Sequence, residues 1–129
     1  MVTRGQAETK GELLVEIFRL EPAARWCEAA THDGVVHVAG QVGPAGADIV
    51  TQTRGALAEM DRVLALCGTD KSRLLSVTIW LADIADFAAM NSVWDAWVDP
   101  DNTPARATGG IPLADPDYLI EITAVAALP

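Results

Sequence analysis

Two charged side chains in the last quarter of the sequence are of types that could do chemistry on a small molecule. Arg106 lies between two alanines in NTPARATGG at 102–110, and Glu121 lies in the apolar stretch YLIEITAVAAL at 118–128. A guanidinium presents a planar set of donors that fits a carboxylate, and a carboxylate can accept and return protons. The two residue types therefore point to anion binding joined to acid–base chemistry.

The spacing of Arg106 and Glu121 is also compatible with a purely structural role. The two residues are fifteen positions apart, on what the pattern predicts to be the last two strands. If those strands are neighbours, the side chains can meet in an ion pair. A carboxylate inside an apolar strand costs free energy unless it is paired or faces a polar cleft. Spacing alone leaves the ion pair and the ligand site both open.

The hydrophobic pattern predicts the elements that must position these residues, in the order β-β-β-α-β-α-β-β. This order favours an α+β fold with a mixed sheet and two helices on one face, and antiparallel pairs within 24–43 and 105–127. A break at HDG, residues 32–34, predicts a hairpin. Strands are predicted at 13–20, on either side of 32–34, at 74–83, from 105 and at 118–128, and helices at 47–68 and 84–98.

The ends of the two predicted helices carry recognisable signals. Asp48 is expected to cap the first helix and Gly68 to end it, while Gly55 inside it predicts close packing. Asp86 is expected to cap the second helix. The spacing of three or four residues predicts apolar faces made of Ile49, Thr53, Leu57, Met60 and Leu64, and of Phe87, Met90, Val93, Trp94 and Trp97.

The composition restricts the class of protein. The chain has 129 residues, which suits one domain at 13–129 after a flexible end at 1–12. Its net charge of −9 argues against nucleic acid as a partner. Half of the residues are hydrophobic, which favours self-association to cover one face of the sheet.

The cysteines and the hydropathy profile indicate a cytoplasmic protein. Cys27 and Cys67 match no metal or redox spacing and are expected to be buried free thiols. No apolar segment has the length of a signal sequence or a membrane span, so a membrane is not expected as a partner. VVHVAGQ, residues 35–41, is almost entirely apolar and is expected to be buried on both faces.

Several segments together resemble one known family. PARAT at 104–108 with LIEI at 119–122 is similar to the C-terminal signature of the Rid family, the reactive intermediate deaminases formerly named YjgF. VVHVAGQVG resembles the family's strand that ends in a Gly-Gln step. TQTRGALAEMDRVLALCG and SVTIWLADIADFAAMNSVWDAW resemble its two helical regions. The resemblance covers residues 14–128.

The resemblance implies a fold and an activity. Family members have a chorismate-mutase-like α+β fold and form homotrimers, with the sheets in a central barrel and three clefts between subunits. Many members hydrolyse reactive enamines and imines, such as 2-aminoacrylate and other 2-imino acids, to 2-keto acids and ammonia. No cofactor and no metal is expected, and the partners are a small carboxylate substrate and further copies of the chain.

The resemblance also assigns roles to individual residues. Arg106 matches the arginine that holds the substrate carboxylate, and Glu121 matches the glutamate linked to the reacting water. Gly40 matches the glycine whose backbone lines the site, and Asn91 matches the asparagine of the second helix. Trp26 stands where well-known members have tyrosine, and it is expected to pack over the substrate's side chain.

The sequence departs from the family pattern at several site positions. Ala39 replaces a serine, and Thr108, whose hydroxyl is expected to contact substrate, replaces a cysteine. Gly109 and Gly110 replace a usual apolar residue and its neighbour, a change that loosens the strand or admits a bulkier substrate. Alternative functions are therefore a carboxylate-binding regulatory trimer without efficient catalysis, an endoribonuclease or a chaperone.

Overall fold

The computed structural model describes residues 16–129. The predicted flexible end at 1–12 and residues 13–15 of the first predicted strand lie outside the described residues. Six strands form one sheet in the order β1-β2-β3-β6-β4-β5. The elements are β1 (Phe18–Leu20), β2 (Ala29–His32), β3 (Val35–Gln41), α1 (Ile49–Leu66), β4 (Leu74–Leu81), α2 (Phe87–Trp97), β5 (Ala105–Gly110) and β6 (Ile120–Ala127), with 3₁₀ turns at Lys71–Arg73 and Ile84–Asp86.

The β2–β3 hairpin forms where its turn signal predicts it. Asp33 and Gly34 both have positive φ, 51° and 77°, and His32 pairs with Val35 across the turn. Two consecutive residues of positive φ define a turn whose twist matches that of the flanking strands, and Gly adopts this conformation without steric strain.

The prediction that the last two strands form an antiparallel pair is wrong. β5 pairs with β4 in parallel, because α2 carries the chain back across the sheet between them. β6 then pairs antiparallel with β4 on one side and with β3 on the other. Consequently β4 lies between the strands that carry Arg106 and Glu121.

The predicted signals of α1 are confirmed. Asp48 accepts a hydrogen bond of 2.8 Å from the Thr51 amide, and the hydrogen bonds from Thr51 lower the pKa of Asp48. Gly68, at φ 88°, ends the helix. A Cβ at Gly55 would lie 2.7 Å from Cδ of Pro44, so this glycine lets the preceding loop approach α1.

The start of α2 differs from its prediction. A 3₁₀ turn at Ile84–Asp86 comes first, and its cap is Asp83, which accepts from the Ala85 amide at 2.9 Å. Asp86 occupies the N-cap position of α2 but makes no side-chain cap hydrogen bond. The acidic residue three positions earlier therefore supplies the acceptor that the prediction assigned to Asp86.

The sheet has one face packed against the helices, called the covered face, and an opposite open face. Burial alternates along β6, where Ile120 and Ile122 are buried and Glu121 and Thr123 are only half-buried. β3 alternates similarly, with His37 exposed on the open face. The prediction that residues 35–41 are buried on both faces is therefore wrong for the single chain.

A buried glutamine links α1 to the loop before β6. Gln52 is fully buried, and its Nε2 donates to the carbonyls of Ala47 and Asp117 at 2.9 and 3.0 Å. Its Oε1 accepts from the Leu119 amide at 2.8 Å. One side chain thus satisfies three backbone groups and fixes the chain immediately before the strand that carries Glu121.

We expect Gln52→Leu to lower the free energy of unfolding by about 1–3 kcal/mol, because it leaves buried backbone groups without partners. Urea denaturation followed by circular dichroism measures the change. Thr51→Ala, which removes an exposed side chain on the same turn, is the control and is expected to change stability by less than about 0.5 kcal/mol. Equal stability of wild type and Gln52→Leu would contradict the assigned role.

Candidate functional site

Arg106 extends from the covered face of β5, at the edge of the sheet. It is paired with Val77, a buried residue of β4, so both side chains start on the same face. Its Nη1 donates to Oδ1 of Asn91 on α2 at 2.8 Å. The structure thus brings together two of the residues predicted to form the site.

Two aromatic rings of α2 also contact the Arg106 guanidinium. The guanidinium carbon lies 5.2 Å from the ring centroid of Trp94 and 5.9 Å from that of Phe87. Phe87, Asn91 and Trp94 are spaced by four and three residues and therefore share one side of the helix. Aromatic rings in this range attract a cation, so α2 holds the arginine from three positions.

Arg106 retains hydrogen-bonding capacity for a ligand. Asn91 is its one hydrogen-bond acceptor among residues 16–129, whereas a guanidinium carries five N–H groups. Within the described chain, the remaining donors are available to an anion. A carboxylate is the group that this planar set of donors fits best.

Thr108 lies on the same face of β5 as Arg106, two residues further along the strand. Its hydroxyl is buried and has no hydrogen-bond partner among the residues that the structure describes. An unpaired buried hydroxyl is unfavourable and uncommon. It is a second polar group with unused hydrogen-bonding capacity on the face of β5 that carries Arg106.

Glu121 lies on the open face of β6 and is in contact with Gly40 of β3. A Cβ built on Gly40 would lie 1.9 Å from Oε2 of Glu121 and 2.7 Å from its carboxyl carbon. The carboxyl group therefore occupies the space that any larger residue at position 40 would fill. Gly40 and Glu121 are a second pair of predicted site residues that the structure brings together.

Trp80 is next to Glu121 on the open face. In the sheet, Trp80 of β4 is paired with Glu121 of β6 on one side and with Gly109 of β5 on the other. A Cβ at Gly109 would lie 3.1 Å from Cζ3 of Trp80, so the absence of a side chain there gives the indole its place. The residue types in the sequence carry no signal that places Trp80 beside this carboxylate.

Arg106 and Glu121 do not form the ion pair that their spacing allows. Their side chains leave opposite faces of one sheet, with β4 between their strands. No ion pair joins them within the described chain. The two predicted catalytic residues thus belong to separate groups: Arg106, Asn91 and Thr108 on the covered face, and Glu121 with Gly40 on the open face.

Trp26 lies apart from both Arg106 and α2. It precedes β2, it is 60% exposed, and its indole donates to Glu28 at 3.3 Å. The Glu28 carbonyl bonds to the Ala39 amide, which places Trp26 toward the Gly40 end of β3. Four strand steps separate β2 from β5, about 19 Å at roughly 4.8 Å per step.

Some contacts of the arginine had no signal in the residue types alone. Trp94 was predicted on the apolar face of α2, and it is buried there, yet its ring also contacts Arg106. Phe87 was predicted on the same face but remains 41% exposed. The pattern of a helix indicates which side is apolar, but not which charged side chain of a neighbouring strand lies against it.

Among residues 16–129, three other features do not form a candidate site: a surface groove, the metal-ligating side-chain types and the two cysteines. A groove of about 530 Å³ beside the end of α2 includes Lys71, whose ammonium donates to the Trp97 carbonyl at 2.6 Å. In residues 16–129, no three His, Cys, Asp or Glu side chains are grouped as ligands for a metal ion. Cys27 and Cys67 are free and half-buried, and burial raises the pKa of the Cys67 thiol.

Comparison with known proteins identifies the family. The family described as endoribonuclease L-PSP matches residues 16–128. RutC family protein YoaB of Escherichia coli K12 is 42% identical over 112 residues, which cover 87% of this chain and 98% of that protein. The chain belongs to this family, also named YjgF, RutC or Rid, and the resemblance seen in the sequence is confirmed.

Solved structures support the same assignment. A member of the YjgF protein family from Neisseria meningitidis aligns with a TM-score of 0.88 and 39% identity, covering 90% of this chain and 98% of that one. The α+β fold with a mixed six-stranded sheet and two helices is thereby confirmed.

The cellular compartment stays a prediction. Within the part of the chain that the structure describes, neither helix has the length and apolar character needed to cross a bilayer. A relative in Schizosaccharomyces pombe that is 34% identical, covering 84% of this chain and 71% of its own length, is named mmf1, mitochondrial.

The contact between Gly40 and Glu121 can be tested by a double-mutant cycle. We expect Gly40→Ala to destabilise the protein more strongly in the wild-type background than in Glu121→Ala, where the obstructing carboxyl group is absent. An interaction energy of about 0.5–3 kcal/mol is expected, measured by urea denaturation.

Gly43→Ala is the matched control for this cycle. Its Cβ would lie 2.2 Å from the backbone oxygen of Gln52, so its cost does not depend on Glu121. We expect Gly43→Ala and Glu121→Ala to be additive. Additivity of Gly40→Ala with Glu121→Ala would show that the carboxyl group does not occupy this space.

Proposed function

We propose that the protein is a hydrolytic deaminase of small reactive enamines and imines, which it converts to 2-keto acids and ammonia. The observation that carries this proposal is the Arg106 guanidinium, which Asn91 and two aromatic rings orient while donors remain free for a carboxylate. Membership of the Rid family supports the same reaction class.

Arg106 would hold the substrate carboxylate through two parallel hydrogen bonds. Binding in this manner fixes the position of the adjacent imine carbon, and correct orientation contributes several kcal/mol to catalysis. The unpaired Thr108 hydroxyl, on the same face of β5, would provide a further contact.

Glu121 would act as the acid–base group. It accepts a proton from water as the oxygen bonds to the imine carbon, and it returns a proton to the nitrogen. The carboxylate then takes the proton of the hydroxyl group in the resulting tetrahedral intermediate and gives it to the amine nitrogen, so that the carbon–nitrogen bond breaks, ammonia leaves and a 2-keto acid remains. Gly40 leaves the carboxyl group room beside β3, and Trp26 would cover the substrate's side chain.

The site is proposed to lie between subunits. Arg106 and Glu121 start on opposite faces of the sheet in one chain, which argues that Arg106 of one subunit meets Glu121 of another. Among residues 16–129 no helix packs over the open face, where Trp80 is exposed and Val125 is half-buried. A homotrimer with the open faces inside would cover this surface.

Two alternative functions differ in what supports them. A regulatory trimer that binds carboxylates without turnover is favoured by Ala39, which provides no hydroxyl where archetypal members have serine. An endoribonuclease, the activity in the family description, requires an RNA-binding surface. The net charge of −9 opposes such a surface.

Arg106→Ala is expected to lower the rate of imine hydrolysis by at least about 100-fold, and Arg106→Lys by about 10-fold, because lysine keeps the charge but not the planar fork. An amino-acid oxidase generates the 2-imino acids, and semicarbazide traps those that the protein leaves. Arg54→Ala, at an exposed arginine of α1, is the control and is expected to be fully active.

The outcomes separate deaminase from binding protein. Full activity of Arg106→Ala would exclude Arg106 as the carboxylate anchor. If the folded wild type accelerates no imine but 2-keto acids raise its Tm, the regulatory binding function is favoured instead.

Mixing two inactive variants tests whether one cleft uses two chains. We expect Arg106→Ala and Glu121→Ala subunits, unfolded together and refolded at equal concentrations, to recover about a quarter of wild-type activity. Each intact side chain is then present in half of the subunits, and some clefts combine both. No recovery in mixed oligomers, verified by mass spectrometry, would place both side chains in the same subunit.

A further inference from the structure

Phe87 contacts Arg106 on one side and is exposed to solvent on the other. One side of its ring lies 5.9 Å from the Arg106 guanidinium carbon, yet 41% of the residue is exposed. Trp94, the other ring near the guanidinium, is only 7% exposed. Phe87 therefore presents aromatic surface directly beside the free donors of the arginine.

Ile84 adds apolar surface next to Phe87. It lies three residues before Phe87 and is 54% exposed. A Cβ at Gly110 would lie 3.4 Å from Cβ of Ile84, so β5 passes close to the start of α2. We call Ile84 and Phe87 the apolar wall.

We propose that the apolar wall makes the site selective for 2-imino acids with a branched aliphatic or aromatic side chain. Acids that contain only two or three carbons in total would be poorer substrates. This inference rests on the proposed function and specifies its substrate class. A cation bordered by exposed apolar surface is complementary to an anion that is itself apolar beyond its carboxylate.

The position of Phe87 agrees with this selection. A carboxylate bound to Arg106 would lie close to the ring of Phe87, whose centroid is 5.9 Å from the guanidinium carbon. A side chain of leucine size would bury more apolar surface against this ring than the methyl group of a three-carbon acid. Gly110 contributes no side chain that would cover Ile84.

The test compares two stable product analogues, pyruvate and 4-methyl-2-oxopentanoate, by isothermal titration calorimetry. We expect wild type to bind the larger acid about five- to tenfold more tightly. Phe87→Ser is expected to abolish this preference, because it weakens the larger acid about five- to tenfold more than it weakens pyruvate, whose binding falls only through the lost contact between the ring and Arg106. Phe87→Leu, which keeps an apolar side chain, is expected to retain most of the preference.

Leu66→Ser is the matched control, because it removes an exposed apolar side chain at the end of α1. It is expected to bind both acids as wild type does. Sedimentation velocity on every variant shows whether the oligomer is retained.

Three results would overturn the inference, and they are distinguishable. Equal weakening of the binding of both acids by Phe87→Ser would mean that the ring only orients Arg106, or that a neighbouring subunit covers the ring. In the second case the sedimentation coefficient of the variant also changes. An unaltered preference would exclude Phe87 as the selective surface. Binding of neither acid by wild type would reject the proposed function together with this inference.

Discussion

β6 hydrogen-bonds to β3 along one edge and to β4 along the other, and this pairing fixes where the candidate site residues lie. It places Glu121 on the open face between two strands, against Gly40. It also displaces β5 to the edge of the sheet, where β4 is its partner and α2 lies beneath it.

The arginine depends on a different set of forces from the glutamate. Arg106 is held by one hydrogen bond to Asn91 and by the rings of Trp94 and Phe87, all from α2. The crossover that makes β4 and β5 parallel also delivers this helix to the same edge. Glu121 instead depends on an empty space, since it lies where a side chain at position 40 would be. The position of Arg106 therefore requires packing against α2, whereas the position of Glu121 requires a glycine at residue 40.

The acidic composition of the chain is compatible with a local positive charge at Arg106. A net charge of −9 disfavours extended anions such as nucleic acid. It does not oppose the proposed binding of one small carboxylate at Arg106, a single cation that lies near the aromatic rings of Trp94 and Phe87. The apolar side chains of Trp80 and Val125 on the open face are consistent with the proposed association of several chains.

The sequence by itself determined the element types, the hairpin turn at Asp33 and Gly34, the cap at Asp48 and the residue types of the site. These features depend on periodicity and local hydrogen bonding, which neighbouring residues encode. The family was also evident from 104–108 and 119–122. Strand order was not, because pairing between strands depends on contacts that local patterns do not record. Only the tertiary structure therefore placed β4 between the strands that carry Arg106 and Glu121.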